Sequence, residues 1–332
     1  MKIKNKISII VIPILVLAII SINITFGIFF KNYVLEQEKL QIQSSKENIA
    51  SYINEKSNKY LGSVNDWAHW DDTYNFINED NAEYIDANMM EDTYINLDLS
   101  FIVLTDKNDS IVYKQFYTYE EPGYAEFPAN FFMDFDAVIK YSGIEDDTSG
   151  VFQIGDDFYF VAASGITDSI GEKQPNGKML IGRMVDKNII QNMEKISGCS
   201  VHSIHVLPDF NQKDLQSKET VILNRAYENE DQESMAIELI VPNAIDSHAT
   251  LLITLFMPRD LYHTGMKNVY GFALLNAIAS IIITYIIFVF LGKYLSKPFV
   301  TLIKDVKNID YTKKEFNKLP ERSLCASASP LP

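Results

Sequence analysis

Cysteine is nearly missing from this chain: Cys199 and Cys325 are the only two in 332 residues. Two thiols cannot build a disulfide framework or a four-thiolate zinc site. Positive charge is also short, and the formal net charge is −15. That balance argues against a nucleic acid partner, because phosphate binding needs a basic face. No glycine-rich phosphate loop ending in lysine is present, and no Gly-x-Ser-x-Gly nucleophile elbow. Histidine is sparse as well. His202 and His205 stand three apart, a spacing that suits a metal pair on a helix or two polar residues of a strand and loop. Asp71 and Asp72 are adjacent and would point to different faces of a helix, whereas a hydrolytic dyad needs facing acids about 5–9 Å apart. The expectation is a protein with no catalytic residues, no cofactor and no metal. Disorder is excluded too, since 47% of the residues are hydrophobic.

The charge that is present is divided. Residues 31–267 hold 40 acidic and 18 basic side chains, a balance of −22, and the rest hold 4 and 11, a balance of +7; together these restore −15. The division follows two uncharged runs, Ile7–Phe30 of 24 residues and Val269–Leu291 of 23. At about 1.5 Å per residue each exceeds the roughly 30 Å core of a bilayer. Ile7–Phe30 is longer than the apolar core of a cleaved signal peptide and ends in a poor cleavage site, Gly27-Ile28-Phe29-Phe30, so it reads as an uncleaved anchor. Lys2, Lys4 and Lys6 precede the first run, and Lys293, Lys297, Lys304 and Lys307 follow the second. The excess of positive charge on cytoplasmic flanks then puts both termini in the cytoplasm. The expected layout is a cytoplasmic N-terminus (1–6), a transmembrane helix (7–30), an extracytoplasmic domain (31–268), a second transmembrane helix (269–291) and a cytoplasmic remainder.

Within the outer region, Lys31–Leu61 has neither glycine nor proline and predicts a long helix. Leu35, Ile42 and Ile49 recur every seven residues, and Ile53, Tyr60, Trp67 and Tyr74 form a second row. Such a seam could pair with a second subunit or pack on its own domain. Short β-branched and aromatic runs then alternate with polar turns: Ser100–Thr105, Ile111–Tyr117, Gly150–Ile154, Phe158–Ala163, Lys178–Met184, Ala236–Val241 and Thr250–Met257. Asp186–Ile196 predicts a helix. A long helix followed by hairpins means an α+β fold with an antiparallel sheet.

The most unusual stretch is Asp66-Trp67-Ala68-His69-Trp70-Asp71-Asp72-Thr73-Tyr74-Asn75-Phe76-Ile77, which holds both tryptophans of the chain. As one helix it would put Trp67, Trp70, Asp71 and Tyr74 on a single face. Indoles beside carboxylates can grip a cation or a polar ring, with His69 and Asp72 adjoining. Equally, the tryptophans can be core anchors and the acids backbone caps. An acidic site favours cationic or polyhydroxyl ligands, or a divalent metal. Arg183 could instead bind a ligand carboxylate or form a salt bridge.

This stretch resembles the signature of the fourth type of CHASE domain, an extracellular sensory domain associated with cyclases and histidine kinases. Tyr84–Asn88, Leu97–Asp106, Gly155-Asp156, Val161–Ile166 and Gly177–Arg183 agree in order, so the resemblance runs from about residue 50 to 196. It implies a Cache-like or PAS-like fold, a long N-terminal helix on a curved sheet, with a small extracytoplasmic ligand. Residues 198–258 lie beyond it and could form a second lobe. After the second run, Lys297-Pro298-Phe299 with Leu302, Val306 and Ile309 resembles the entry of a HAMP signalling coil (292–321), with Pro298 as a relay position. The tail from Arg322 to Pro332 lacks a helical stripe, and reads as a truncation or frameshift near Glu321 or as a natural short end. The function expected is the input half of a transmembrane receptor in the cell membrane, paired as a homodimer in the sense of the seam above, without its output enzyme. The alternatives are an extracytoplasmic binding protein with no signalling output and a membrane-anchored hydrolase.

Overall fold

A computed structural model of the protein describes residues 3–79, 82–208, 221–228, 233–241, 249–290, 293–294 and 297–307. They fall into two compact units, one of residues 34–264 and one of residues 1–33 with 265–332. The helices are α1 (Ile3–Ala68), α2 (Asp71–Glu79), α3 (Ala82–Asn88), α4 (Glu91–Leu97), α5 (Phe131–Tyr141), α6 (Lys187–Ser197), α7 (Asp260–Phe290) and α8 (Lys297–Lys307). The strands are β1 (Phe101–Asp106), β2 (Ile111–Thr118), β3 (Gly123–Ala125), β4 (Thr148–Ile154), β5 (Asp157–Gly165), β6 (Gly177–Met184), β7 (Ser200–Pro208), β8 (Ile222–Glu228), β9 (Ser234–Val241) and β10 (Ala249–Pro258). The fold is α+β, with a long N-terminal helix and antiparallel sheets, as the sequence pattern requires.

In the smaller unit, α1 and α7 each carry a stretch long and apolar enough to cross a membrane, none of it buried within the protein. The ring of Phe26 lies 4.3 Å from that of Phe272. Polar side chains inside the first stretch turn back on their own helix. Asn23 Nδ2 donates to the Ile19 carbonyl and Thr25 Oγ1 to that of Ser21, which satisfies them without water.

In the larger unit, the first sheet has strand order β3-β2-β1-β6-β5-β4, every pair antiparallel. Both of its faces are covered. Ile102, Leu104, Phe160, Ala162, Met179 and Ile181 point to the face that shares a core with α1. Phe101, Val103, Tyr159, Val161, Ala163 and Leu180 point to the other, where α5 adds Phe131, Phe135, Val138 and Ile139. Two covered faces explain why these strands are apolar runs rather than alternating ones. The turn between β1 and β2 is set by Asp106, whose Oδ1 accepts the amides of Asn108 and Ser110 at 2.7 and 2.9 Å.

The second sheet, order β7-β10-β9-β8, lies in residues 198–258. Ile237, Leu239, Val241, Leu251, Ile253, Leu255 and Met257 join the same core as α1. The heptad stripe of α1 is consumed here: Ile42, Ile49, Ile53 and Tyr60 are buried inside their own subunit. Of the two readings of that seam, packing on its own domain is the one observed. His202 and His205 fall on β7, so they are strand residues and not a helical pair; His202 stacks on Phe256 at 4.3 Å.

Candidate functional site

The aromatic and acidic stretch is not one helix. α1 ends at Ala68 and α2 begins at Asp71, with His69 and Trp70 between them. The single face expected for Trp67, Trp70, Asp71 and Tyr74 is therefore broken. No glycine or proline causes the break; the loop between β5 and β6 does. Its Thr167 N–H donates to the Ala68 carbonyl at 3.1 Å, which satisfies one orphan acceptor at the end of α1. Ser169 and Asp71 then bond reciprocally: Ser169 N–H donates to Asp71 Oδ1 and Asp71 N–H to Ser169 Oγ, both at 3.1 Å. That exchange resembles a capping box and starts α2. Asn176 Nδ2 donates to the Tyr74 carbonyl at 2.8 Å, and Lys173 Nζ stands 4.6 Å from the Tyr74 ring centre.

The loop is rigidly based. Gly165 and Gly177 bracket it, and neither position has room for a side chain. A Cβ would lie 2.0 Å from the Ile144 carbonyl oxygen at Gly165 and 2.1 Å from that of Thr105 at Gly177. Inside the loop, Asp168 Oδ1 accepts the Lys173 amide at 2.9 Å and the Thr167 hydroxyl at 3.2 Å. The backbone bond from Lys173 is the main reason its carboxyl titrates below the ordinary range.

Around this junction the structure gathers six of the seven sequence-predicted residues. Trp67 is half-buried against the core, and its ring meets Trp70 edge-on at 6.2 Å. Trp70 is 37% exposed. His69 is exposed, with Nε2 3.3 Å from the buried Ser164 hydroxyl. Asp71 and Asp72 occupy the first turn of α2, where a negative charge complements the helix end. Asp71 is spent on the loop, while Asp72 is exposed. What faces solvent is thus an indole, an imidazole and a carboxylate on a firm base. The sequence reading missed the partners Ser164, Thr167, Ser169 and Asn176; the glycines that bracket them were the available signal.

Arg183 is elsewhere. It lies on β6, 3% exposed, and every nitrogen has a partner. Nε donates to Asp98 Oδ1 at 2.8 Å, Nη2 to Asp186 Oδ2 at 2.7 Å, and Nη1 to the Met184 carbonyl at 3.0 Å. Tyr119 covers the guanidinium at 4.0 Å. From α1, Lys56 Nζ and the Tyr60 hydroxyl also donate to Asp98 Oδ2, at 3.0 and 3.1 Å. Burial alone would raise the Asp98 carboxyl, but the bonds from Arg183 and Lys56 outweigh it and hold it below the usual value. Burial and the Asp98 charge push Tyr52 up to about 12. Of the two readings of Arg183, the salt bridge is the one the geometry displays.

Among the described residues no three His, Cys, Asp or Glu side chains are grouped to hold a metal ion. Cys199 is buried, its thiol 3.5 Å from Ser45 Oγ.

Residues 52–203 match the family model of the CHASE4 domain. Over 289 residues the chain is 22% identical to a methanogenesis regulatory histidine kinase, FilI, of Methanothrix harundinacea; the alignment covers 85% of this chain and 32% of that protein. The chain thus spans about a third of that curated relative. Among solved structures, the extracellular domain of vpHK1S-Z8 gives a TM-score of 0.45 at 10% identity, covering 70% of this chain and 98% of that one. The ligand-binding domain of the Campylobacter jejuni chemoreceptor Tlp3, solved with L-valine, gives 0.37 at 10% identity, covering 70% and 97%. The matched region is thus similar to a sensor-type domain, in a chain with two helices long and apolar enough to cross a membrane.

Proposed function

We propose that this protein is the input half of a transmembrane receptor, in which residues 31–268 sense a small ligand outside the membrane and α7 carries the signal inward. The observation that carries the reading is the placement of a CHASE4-matching region between two membrane-length helices in one chain. The lysines outside both apolar runs support cytoplasmic termini. The ligand site proposed is the α1–α2 junction, where Trp70, His69 and Asp72 are free to face solvent above Trp67, Asp71 and Tyr74. Its chemistry favours a cationic or polyhydroxyl ligand, gripped by stacking and charge. Arg183 contributes through the fold beneath. The segment from 292 to 321 is proposed as the beginning of a HAMP-type coil: α8 starts at Lys297, with Pro298 in its first turn. Positions 308–332, which include the unusual tail, lie outside the described residues. The homodimer belongs to the same proposal, through surfaces other than the α1 seam, which is buried in its own subunit.

The test uses the full chain in lipid nanodiscs and a panel of amino acids, polyamines, sugars and divalent cations. A ligand that binds only the folded state raises the melting temperature. We expect at least one panel member to do so without turnover, and Trp70→Ala with Asp72→Ala to remove the shift. Release of product from a surface polymer would replace the receptor with a hydrolase. A double variant that folds and still responds would move the site elsewhere.

A further inference from the structure

The long helix makes another polar contact, on residues the ligand site does not use. Glu38 lies about two turns past Phe30 on α1, and Arg259 is the residue between the end of β10 and the start of α7. Both are buried, Arg259 to 5% and Glu38 to 6% exposure. Arg259 Nε donates to Glu38 Oε1 at 2.7 Å and Nη2 to Glu38 Oε2 at 3.2 Å, a two-pronged fork. Its Nη1 donates to Glu228 at the end of β8. The Tyr262 ring lies 4.1 Å from the guanidinium carbon, and the Arg259 amide donates to the Glu233 carbonyl at 3.0 Å. The Arg259 carbonyl in turn accepts the His263 amide at 2.9 Å, the opening bond of α7.

One residue therefore holds α1 with its side chain and begins α7 with its backbone. A buried ion pair adds little net stability over a well-packed apolar pair, yet losing one partner strands the other charge. Its value lies in geometry. A fork of two bonds tolerates only a small displacement of the carboxylate before one prong is lost.

We propose that Arg259 is a positioning residue that couples α1 to α7: movement of Glu38 with α1 is passed to the first turn of α7 through this clasp. The inference rests on the receptor reading for its purpose, but its physical content is a coupling that can be measured without a ligand. In the full chain in nanodiscs, hydrogen exchange is followed at the first-turn amides of α7, including His263 and Thr264, in Glu38→Gln, Arg259→Lys and the double variant. Glu38→Gln is expected to speed that exchange about tenfold or more, and the double variant to add less than twofold to the larger single effect. Amides of β1 and β6 should stay unchanged, as should α7 when the exposed Lys39–Glu36 pair on α1 is cut by Lys39→Ala. Should Glu38→Gln fail to fold, Glu38→Asp draws the same charge back by one methylene and is expected to give the same α7 response. The proposal is overturned if the folded Glu38 variant changes exchange in α1 alone and leaves the first turn of α7 within twofold. The receptor reading stands or falls on the ligand panel, so the two failures are distinguishable.

Discussion

Two polar clusters sit on the same long helix, and they differ in what they leave over. The Asp98 cluster in the middle of the outer part of α1 collects Lys56, Tyr60, Arg183 and Asp186, and each charge answers another. A ligand could enter only by dismantling it. At the α1–α2 junction the bonds instead run between backbone and short side chains, and they hold up residues that face outward. Perturbed titration, often taken as a mark of function, marks structure at Asp98, whose carboxyl is held low, against burial, by the bonds from Arg183 and Lys56 that tie the cluster together.

That contrast can be broken in several ways. The largest effect should come from Arg183→Met, which leaves Asp98 and Asp186 without their shared partner. A loss of about 3–5 kcal/mol is expected in thermal or denaturant unfolding of the full chain. Equal stability of variant and parent would show that the cluster is not what holds β6 to α4 and α6.

Acid sharpens the same point. The Asp98 carboxyl titrates lower in the folded protein than in the unfolded chain, where it is about 3.9. The unfolded state then binds more protons, so stability rises with pH through that window. The contribution is complete above about pH 5 and disappears as pH falls through the folded value. Asp98→Asn should therefore be less stable than the parent at neutral pH, and the gap should close below about pH 4. A gap independent of pH would assign the effect to packing.

At the junction the effects should be smaller. Gly177→Ala pushes a methyl group against the Thr105 carbonyl, and about 1–3 kcal/mol should be lost. Asp71→Ala removes a cap-like bond and should cost at most about 1 kcal/mol, while exchange at the Ser169 amide speeds several-fold. If Asp71→Ala proved as costly as Arg183→Met, the two clusters would not differ in kind.

Much of this architecture could be read from the sequence because the apolar period changes sharply. Lys31–Leu61 has helical spacing with no breaker, and β1, β2, β4, β5, β6, β9 and β10 follow polar turns. Asp186 announces α6: its carboxylate accepts the amides of Asn188 and Ile189. β7 stayed hidden because His202, Ser203 and His205 make it look like a loop. α5 went unread although Phe131, Phe135 and Val138 repeat at helical spacing; the aromatic run around it resembles strand. The break at His69–Trp70 had no local signal at all. It is imposed from about a hundred positions away by Thr167 and Ser169, and no window of sequence contains both partners. For the same reason Arg183 could be named but not placed: its two carboxylate partners come from α4 and from the start of α6.

The bracketed loop between β5 and β6 has a practical corollary. Its ends admit no side chain, yet its crest carries an exposed Ile170 and, at Gly171, a backbone φ of +67° with open space around the Cα. A short epitope spliced in at Ile170–Gly171 should leave both anchors alone. Antibody staining of intact and permeabilised cells would then show on which side of the membrane this end of the domain is displayed.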